Sequence, residues 1–188
     1  MATTDYSISQ YISDIQVIAS EETDPKALTE AIKPLAARLA ATDEFKKDKY
    51  KACDEEQGFG VHLLHEEENH DLGVFLFSWL PGRGTLPHNH KTWAVVAMVE
   101  GEERETYWKR KDDGAKDGYA EIEKTGEVLM TPGDIATCLE DHIHAVTNAG
   151  DSVSMSLHTY GRHINYTGRS QFDPDKNAEI PFVVTVDE

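Results

Sequence analysis

The sequence predicts an all-β domain, an antiparallel sandwich or barrel, with α-helices at its N-terminal end. From Gly58 onward, short runs rich in Val, Ile, Phe, Tyr and Trp are separated by turn-forming stretches such as PGRG, KDDGAKDG, KTGE, TPGD and NAGD, the pattern of many short strands. Strands that follow one another at this spacing, without helices between them, pair antiparallel. Before residue 58 the apolar residues recur at helical spacing instead. The 188 residues suffice for one core and are too few for two large ones. One domain over 1–188 is expected, with a helical segment at 1–57 and a β-barrel at 58–188.

Taken in order, Ile8, Tyr11, Ile12, Ile15 and Ile18 mark a first helix. Asp24 and Pro25 are a fitting N-cap and first-turn pair for a second, in which Leu28, Ile32, Leu35 and Leu39 share a face. Pro34 is expected to break or kink it. Strands are expected near 59–65, 73–80, 92–99, 102–109, 118–124, 127–131, 134–138, 143–148, 152–160 and 181–186.

Composition narrows the function. Asp and Glu number 35 against 18 Lys and Arg, a net charge of -17. Such a surface repels phosphate backbones and anionic lipid, so nucleic acid and membrane are not expected partners. The apolar runs Val74–Leu80 and Trp93–Val99 are seven residues long, far short of the roughly 20 a membrane span requires. The N-terminal stretch MATTDYSISQYISDIQ carries acidic residues and lacks a basic start with an apolar block, unlike a secretory signal. Two cysteines, Cys53 and Cys138, make no disulfide framework. A cytoplasmic location is therefore expected, and nothing in the sequence selects an oligomeric state.

The chemistry concentrates in GRGTLPHNHKTWAVVAMVEG, Gly82 to Gly101. On a strand, His88 and His90 point to the same face while Asn89 faces away, so both imidazoles can meet one metal ion. The spacing of Gly82, His88, His90 and Gly101 resembles the first motif of the cupin superfamily, and Gly133, His144 and Asn148 in GDIATCLEDHIHAVTN resemble the second. The resemblance implies a double-stranded β-helix, a jelly-roll barrel, with the helices packed outside, and makes His144 the third ligand. His142 competes with it, but only His144 has the spacing to Asn148. The usual second motif has Pro and Gly where this chain has Leu139 and Asp141, and Asp tolerates the positive φ of a tight turn. His62, His65, His70, His142 and His163 are expected to be solvated or structural.

Four-ligand cupins place a glutamate four positions after the second histidine, where this chain has Ala94. Three neutral imidazoles leave a divalent ion its full charge, which favours an anionic ligand such as a thiolate and leaves positions open for substrate and dioxygen.

In SVSMSLHTYGR, Ser156, His158 and Tyr160 alternate along one strand face and can form a hydrogen-bonded relay. With the histidines, the set resembles the cupin thiol dioxygenases, which include cysteine dioxygenase and the bacterial 3-mercaptopropionate dioxygenase. The likeness is firmest from Gly82 to Pro174. It implies iron(II) held by His88, His90 and His144, with Ser156, His158 and Tyr160 as the catalytic relay. A small thiol and dioxygen would be the reactants, and a sulfinic acid the product. Two departures point within the family. Animal-type cysteine dioxygenase has a cysteine shortly after the second histidine, where this chain has KTWAVV. It also has an arginine on an early strand, and here none lies between Arg38 and Arg83. The 3-mercaptopropionate enzymes use an arginine nine residues past the tyrosine, which is Arg169, in preference to Arg162. A guanidinium grips a carboxylate through two parallel hydrogen bonds, so 3-mercaptopropionate is the expected substrate. Trp93 is expected to pack only, although its place beside the metal strand lets it shape the pocket wall. Cysteine dioxygenase, another three-histidine cupin oxygenase or isomerase, and a non-catalytic metal-binding cupin are the alternatives.

Overall fold

A computed structural model describes residues 6–187. Helix α1 (Ile8–Glu21) starts at a capping box in which Ser7 and Gln10 satisfy each other's backbone N–H groups. Helix α2 (Pro25–Ala40) starts at Asp24, whose carboxylate accepts from Ala27 N, with Pro25 in the first turn. Of the break or kink expected at Pro34, the break does not occur: α2 runs through it as one helix. Pro34 is exposed, so the carbonyl of Glu30 that lacks its donor faces water rather than a core. Two 3₁₀ turns, Asp43–Phe45 and Asp48–Lys51, then lead into the sheets.

Ten strands follow: β1 (Phe59–Glu66), β2 (Asp71–Trp79), β3 (Ala94–Glu100), β4 (Glu103–Arg110), β5 (Ile122–Met130), β6 (Ile135–Cys138), β7 (Ile143–Asn148), β8 (Ser154–Arg162), β9 (Ser170–Asp173) and β10 (Ala178–Pro181). One antiparallel sheet has the order β1-β2-β8-β3-β6, a second the order β5-β4-β7, and β9 and β10 form a hairpin. The first sheet is covered on both sides. Val74, Leu76, Val95, Ala97, Met155 and Leu157 pack under Tyr11, Ile15, Ile32 and Leu39 of the helices. The residues between them, Phe75, Phe77, Trp79, Ala94 and Tyr160, face inward with Val146 of the second sheet. This two-sided burial explains why β2 and β3 read as continuous apolar runs. Tyr11 Oη ties α1 to β8 through Thr159 Oγ1 at 2.6 Å.

Four strand expectations are corrected. The two strands expected near 118–124 and 127–131 are one, β5, which begins only at Ile122; ahead of it Tyr119 makes an isolated bridge to Ala178. Its KTGE stretch, taken for a turn, carries a bulge opposite Tyr107 and Trp108, because Gly126 lets the strand bend without reversing. The strand expected at 181–186 is not formed: β10 ends at Pro181, Phe182 N donates to Arg169 O at 3.0 Å, and the next bridge, between His62 and Asp187, lies beyond the segment. The β9–β10 hairpin was not expected, since four-residue strands of mixed polarity give no alternation to read. His88 and His90 lie on an irregular segment ahead of β3, not on a strand; His88 makes isolated bridges to His144 and Gln171. Finally, the turn at Glu140 and Asp141 closes with His142 N donating to Leu139 O at 3.0 Å, and Asp141 is not among the residues with positive φ. Gly82, Gly101 and Gly133 are, at +71°, +81° and +104°, and there glycine meets no steric penalty.

Candidate metal centre

Backbone pairing builds the centre. His88 N donates to His144 O at 2.7 Å and His144 N to His88 O at 3.0 Å, tying the irregular segment to β7. Asn89 turns away, its side chain accepting from Ser170 N at 2.9 Å. His90 ends beside Tyr160, with ring centroids 5.1 Å apart. One nitrogen from each of His88, His90 and His144 lies within 4.8 Å of the others, and all three residues are buried.

The outer ring nitrogens fix the inner ones. His88 Nδ1 lies 3.0 Å from the carbonyl of Leu86, so it carries the proton and leaves Nε2 bare. His144 Nδ1 lies 2.6 Å from Glu105 Oε1 and does the same. His144 Nε2 is 3.1 Å from His90 Nε2. Lone pairs so close need a cation or a proton between them, and two nitrogens about 2.1 Å from one ion are separated by about this distance when the bond angle is near 90°. Burial holds His88 and His90 well below the usual imidazole range, so both are neutral donors. The set fits a divalent metal ion.

Tyr160, His158 and Ser156 project from β8 to the same side. Tyr160 Oη lies 2.7 Å from His158 Nδ1, and His158 Nε2 lies 2.9 Å from Ser156 Oγ. Trp79 Nε1 donates to Ser156 Oγ at 3.4 Å. Burial keeps His158 neutral and pushes Tyr160 far above the usual phenol range. The relay face expected from alternation is therefore continuous. Arg169, 3% exposed, faces the same cavity with the metal-facing histidines, His158 and Tyr160. Its Nε donates to Phe182 O at 3.2 Å, its guanidinium lies 4.1 Å over the Phe182 ring, and its Nη2 is buried without a partner. Burial lowers its pKa to about 10, so it remains charged at neutral pH. Arg162 is instead exposed and paired with Asp71 at 3.2 Å.

The cavity has about 10 Å³ of free volume, room for one small occupant. Arg169 and Phe182 also line a groove of about 480 Å³ on the outer side, together with Arg110, Lys116 and Glu179. Arg169 and Phe182 are thus common to the cavity and the groove.

His142 is exposed and takes no part in the cluster. Trp93 is not in the cavity wall: it packs with the helix-side core and lies under Gly161, while Trp79 supplies the indole of the cavity. The reason is parity, since Trp93 precedes the inward-facing Ala94 by one residue. Glu105 was missed. Burial would raise its pKa, but its bond to His144 holds it below the usual carboxylate range. Its only signal in the sequence was position, two residues after Glu103 on one strand face.

No family model matches the chain. Among solved structures, it is similar to an uncharacterised conserved protein with a double-stranded β-helix domain from Klebsiella pneumoniae (15% identity over 67% of this chain and 93% of that one, TM-score 0.48). It is similar also to oxalate oxidase in complex with a substrate analogue, glycolate (16%, 60% and 54%, TM-score 0.46), and to a sugar phosphate isomerase of the cupin superfamily from Silicibacter pomeroyi (25%, 49% and 51%, TM-score 0.37). In the chain's own structure two antiparallel sheets face each other, the helices pack outside the first, and the three histidines lie between the sheets. Among the described residues, no helix is long and apolar enough to cross a membrane.

Proposed function

We propose that the chain is a non-heme iron(II) thiol dioxygenase that converts 3-mercaptopropionate and dioxygen to the sulfinic acid, RSH + O2 → RSO2H. The observation that carries this reading is Arg169: a buried guanidinium with no carboxylate partner among the described residues, in the same cavity as three converging imidazoles. A charge kept there without a partner is costly, and a bound anion would offset it. His88, His90 and His144 would hold iron, which when bound supplies the Lewis acid for a thiolate and the electrons that activate dioxygen. With Arg169 at +1, Glu105 at -1 and a divalent ion, the site lacks two negative charges. A thiolate bearing a carboxylate provides two.

The protein's own residues divide the remaining work. Arg169 takes the carboxylate in a two-bond fork and so sets the reach of the thiol. Glu105 fixes the tautomer of His144. Phe59, Phe77, Trp79, Phe182 and Val184 exclude bulk water. Tyr160, held by His158, directs a hydrogen bond toward the oxygen or sulfur on which charge develops.

Oxygen consumption by the iron-loaded protein with 3-mercaptopropionate, L-cysteine and cysteamine tests the proposal. The highest kcat/KM is expected for 3-mercaptopropionate. Iron bound with no oxygen uptake on any thiol would overturn it in favour of a metal-binding protein, and uptake with a thiol-free diketone or phenol in favour of another oxygenase.

A further inference from the structure

The hydrogen bonds behind Tyr160 run through His158 to Ser156, and a buried acid lies beyond. On the facing sheet, β4 points Glu103 inward alongside Glu105, and Glu103 is only 2% exposed. Its Oε1 is buried without a hydrogen-bond partner, as is Ser154 Oγ. The side-chain hydroxyls near enough to act on its carboxyl are those of Ser154 and Ser156 from β8. Its ladder partners are Met130 on β5 and Asn148 on β7, and the charged group acting on it is Glu105. Among the described residues, no cation therefore offsets an ionised Glu103. Burial, reinforced by Glu105, pushes its pKa up to about 8 even though the serine hydroxyls favour the anion.

We propose that Glu103 is the proton store of the relay, and that its proton, through Ser156 and His158, sets the direction of Tyr160's hydroxyl. The proposal rests on the reading of Tyr160 as a donor into the metal cavity. Hydrogen-bond counting yields two complete arrangements. With Glu103 protonated, its O–H is given to Ser156 Oγ, Ser156 donates to His158 Nε2, and His158 Nδ1–H donates to Tyr160 Oη. The phenol proton is then free to point into the cavity. With Glu103 ionised, Ser156 donates to the carboxylate, His158 Nε2–H donates to Ser156, and bare Nδ1 takes the phenol proton away from the cavity. In both arrangements Ser156 accepts from Trp79 and uses its remaining lone pair and its proton. A proton given up by Tyr160 can be replaced by successive transfers from His158, Ser156 and Glu103. Each breaks one O–H or N–H bond and makes the next. The net change is one proton moved into the cavity and one carboxylate left at Glu103.

Glu103 is thus a positioning residue, and the tautomer of His158 reports it. His158 stays neutral because burial keeps its pKa well below the usual range, so any change in its ring signals is a change of tautomer. In zinc-loaded, 15N-histidine-labelled protein, titrated over about pH 6 to 10, His158 should pass from the Nδ1–H to the Nε2–H form with a midpoint set by Glu103. In Glu103→Gln, whose amide can donate but cannot titrate, one tautomer should persist, and turnover of the iron-loaded variant should fall roughly tenfold or more with loss of the alkaline limb. A wild-type His158 tautomer that never changes, or a Gln variant that switches as the wild type does, overturns the proposal. If Glu103→Gln does not fold, the infrared band of a protonated carboxyl in the wild type decides: it must fade in step with the tautomer switch, and its absence at neutral pH is refuting. The tautomer measurement needs no turnover. Lack of thiol oxidation would sink the functional reading alone, and oxygen uptake without a tautomer switch would sink only the role of Glu103.

Discussion

Replacing Arg169 separates substrate anchoring from cavity architecture. Arg169→Met keeps most of the side-chain length and the contact with Phe182, and removes the charge and the unpartnered Nη2. A guanidinium–carboxylate fork contains two charge-assisted hydrogen bonds, each worth about 1.5–3 kcal/mol. At a residue 3% exposed, solvent screens little of this, and part of the gain goes into desolvating the substrate carboxylate. A net loss of about 3–4 kcal/mol corresponds to a fall in kcat/KM of roughly 100- to 1000-fold for 3-mercaptopropionate. Cysteamine has no carboxylate, so its kcat/KM should change less than about threefold. The same variant should unfold at a temperature a few degrees higher, because a charge buried without a partner is removed. Oxygen-electrode kinetics with both thiols and a thermal melt are the assays. Equal losses for the two thiols would show that Arg169 maintains the cavity rather than gripping a carboxylate, and no loss for either would refute the anchoring role.

Four further outcomes are expected. Glu105→Gln should weaken metal affinity by about 10- to 100-fold, measured by competition with a chelating dye, because His144 Nδ1 loses its anionic acceptor; unchanged affinity would contradict that role. Tyr160→Phe should lower kcat by roughly 100-fold or more while the bound iron content stays near one equivalent, and full activity would remove Tyr160 from the chemistry. Metal-free protein should lose stability as the pH falls below about 6.5. Burial depresses the folded-state pKa of His88, His90 and His158, so below the unfolded value the unfolded chain binds more protons, up to about 1.4 kcal/mol per pH unit for each group; a melting temperature flat from neutral to mildly acidic pH would contradict this. Ile32→Ala should cost about 2–4 kcal/mol in denaturant unfolding, since Ile32 is fully buried between α2 and the sheet, and a cost under about 1 kcal/mol would mean that the helices contribute little to that core.

How much was legible in the sequence depended on whether the signal was local. Asp24 with Pro25 marked a helix start because capping is decided within one turn. Ser156, His158 and Tyr160 were readable as one face because strand parity is strict, and the same rule, once the strand start is known, moves Trp93 out of the cavity. His88 and His90 were readable as a pair but not as residues of an irregular segment, since their position is imposed by backbone bonds to His144 and Ser170, distant in sequence. Glu103 and Glu105 were hidden for a related reason. ERETYWKR reads as a polar strand, and only the folded structure shows that two of its carboxyls are buried, one of them bonded to His144. Ala94, the position where four-ligand cupins hold an acid, is buried beside Cys138 and Tyr160. The carboxylate missing there has a counterpart in Glu105, one layer out, acting through an imidazole.

The measurement closest to the central claim is the mass of the product formed when iron-loaded protein meets 3-mercaptopropionate under 18O2. A sulfinic acid carrying two heavy oxygen atoms, formed by the intact chain and lost in His90→Ala, is the result expected. Disulfide alone, or a sulfinic acid whose oxygen comes from water, would contradict it.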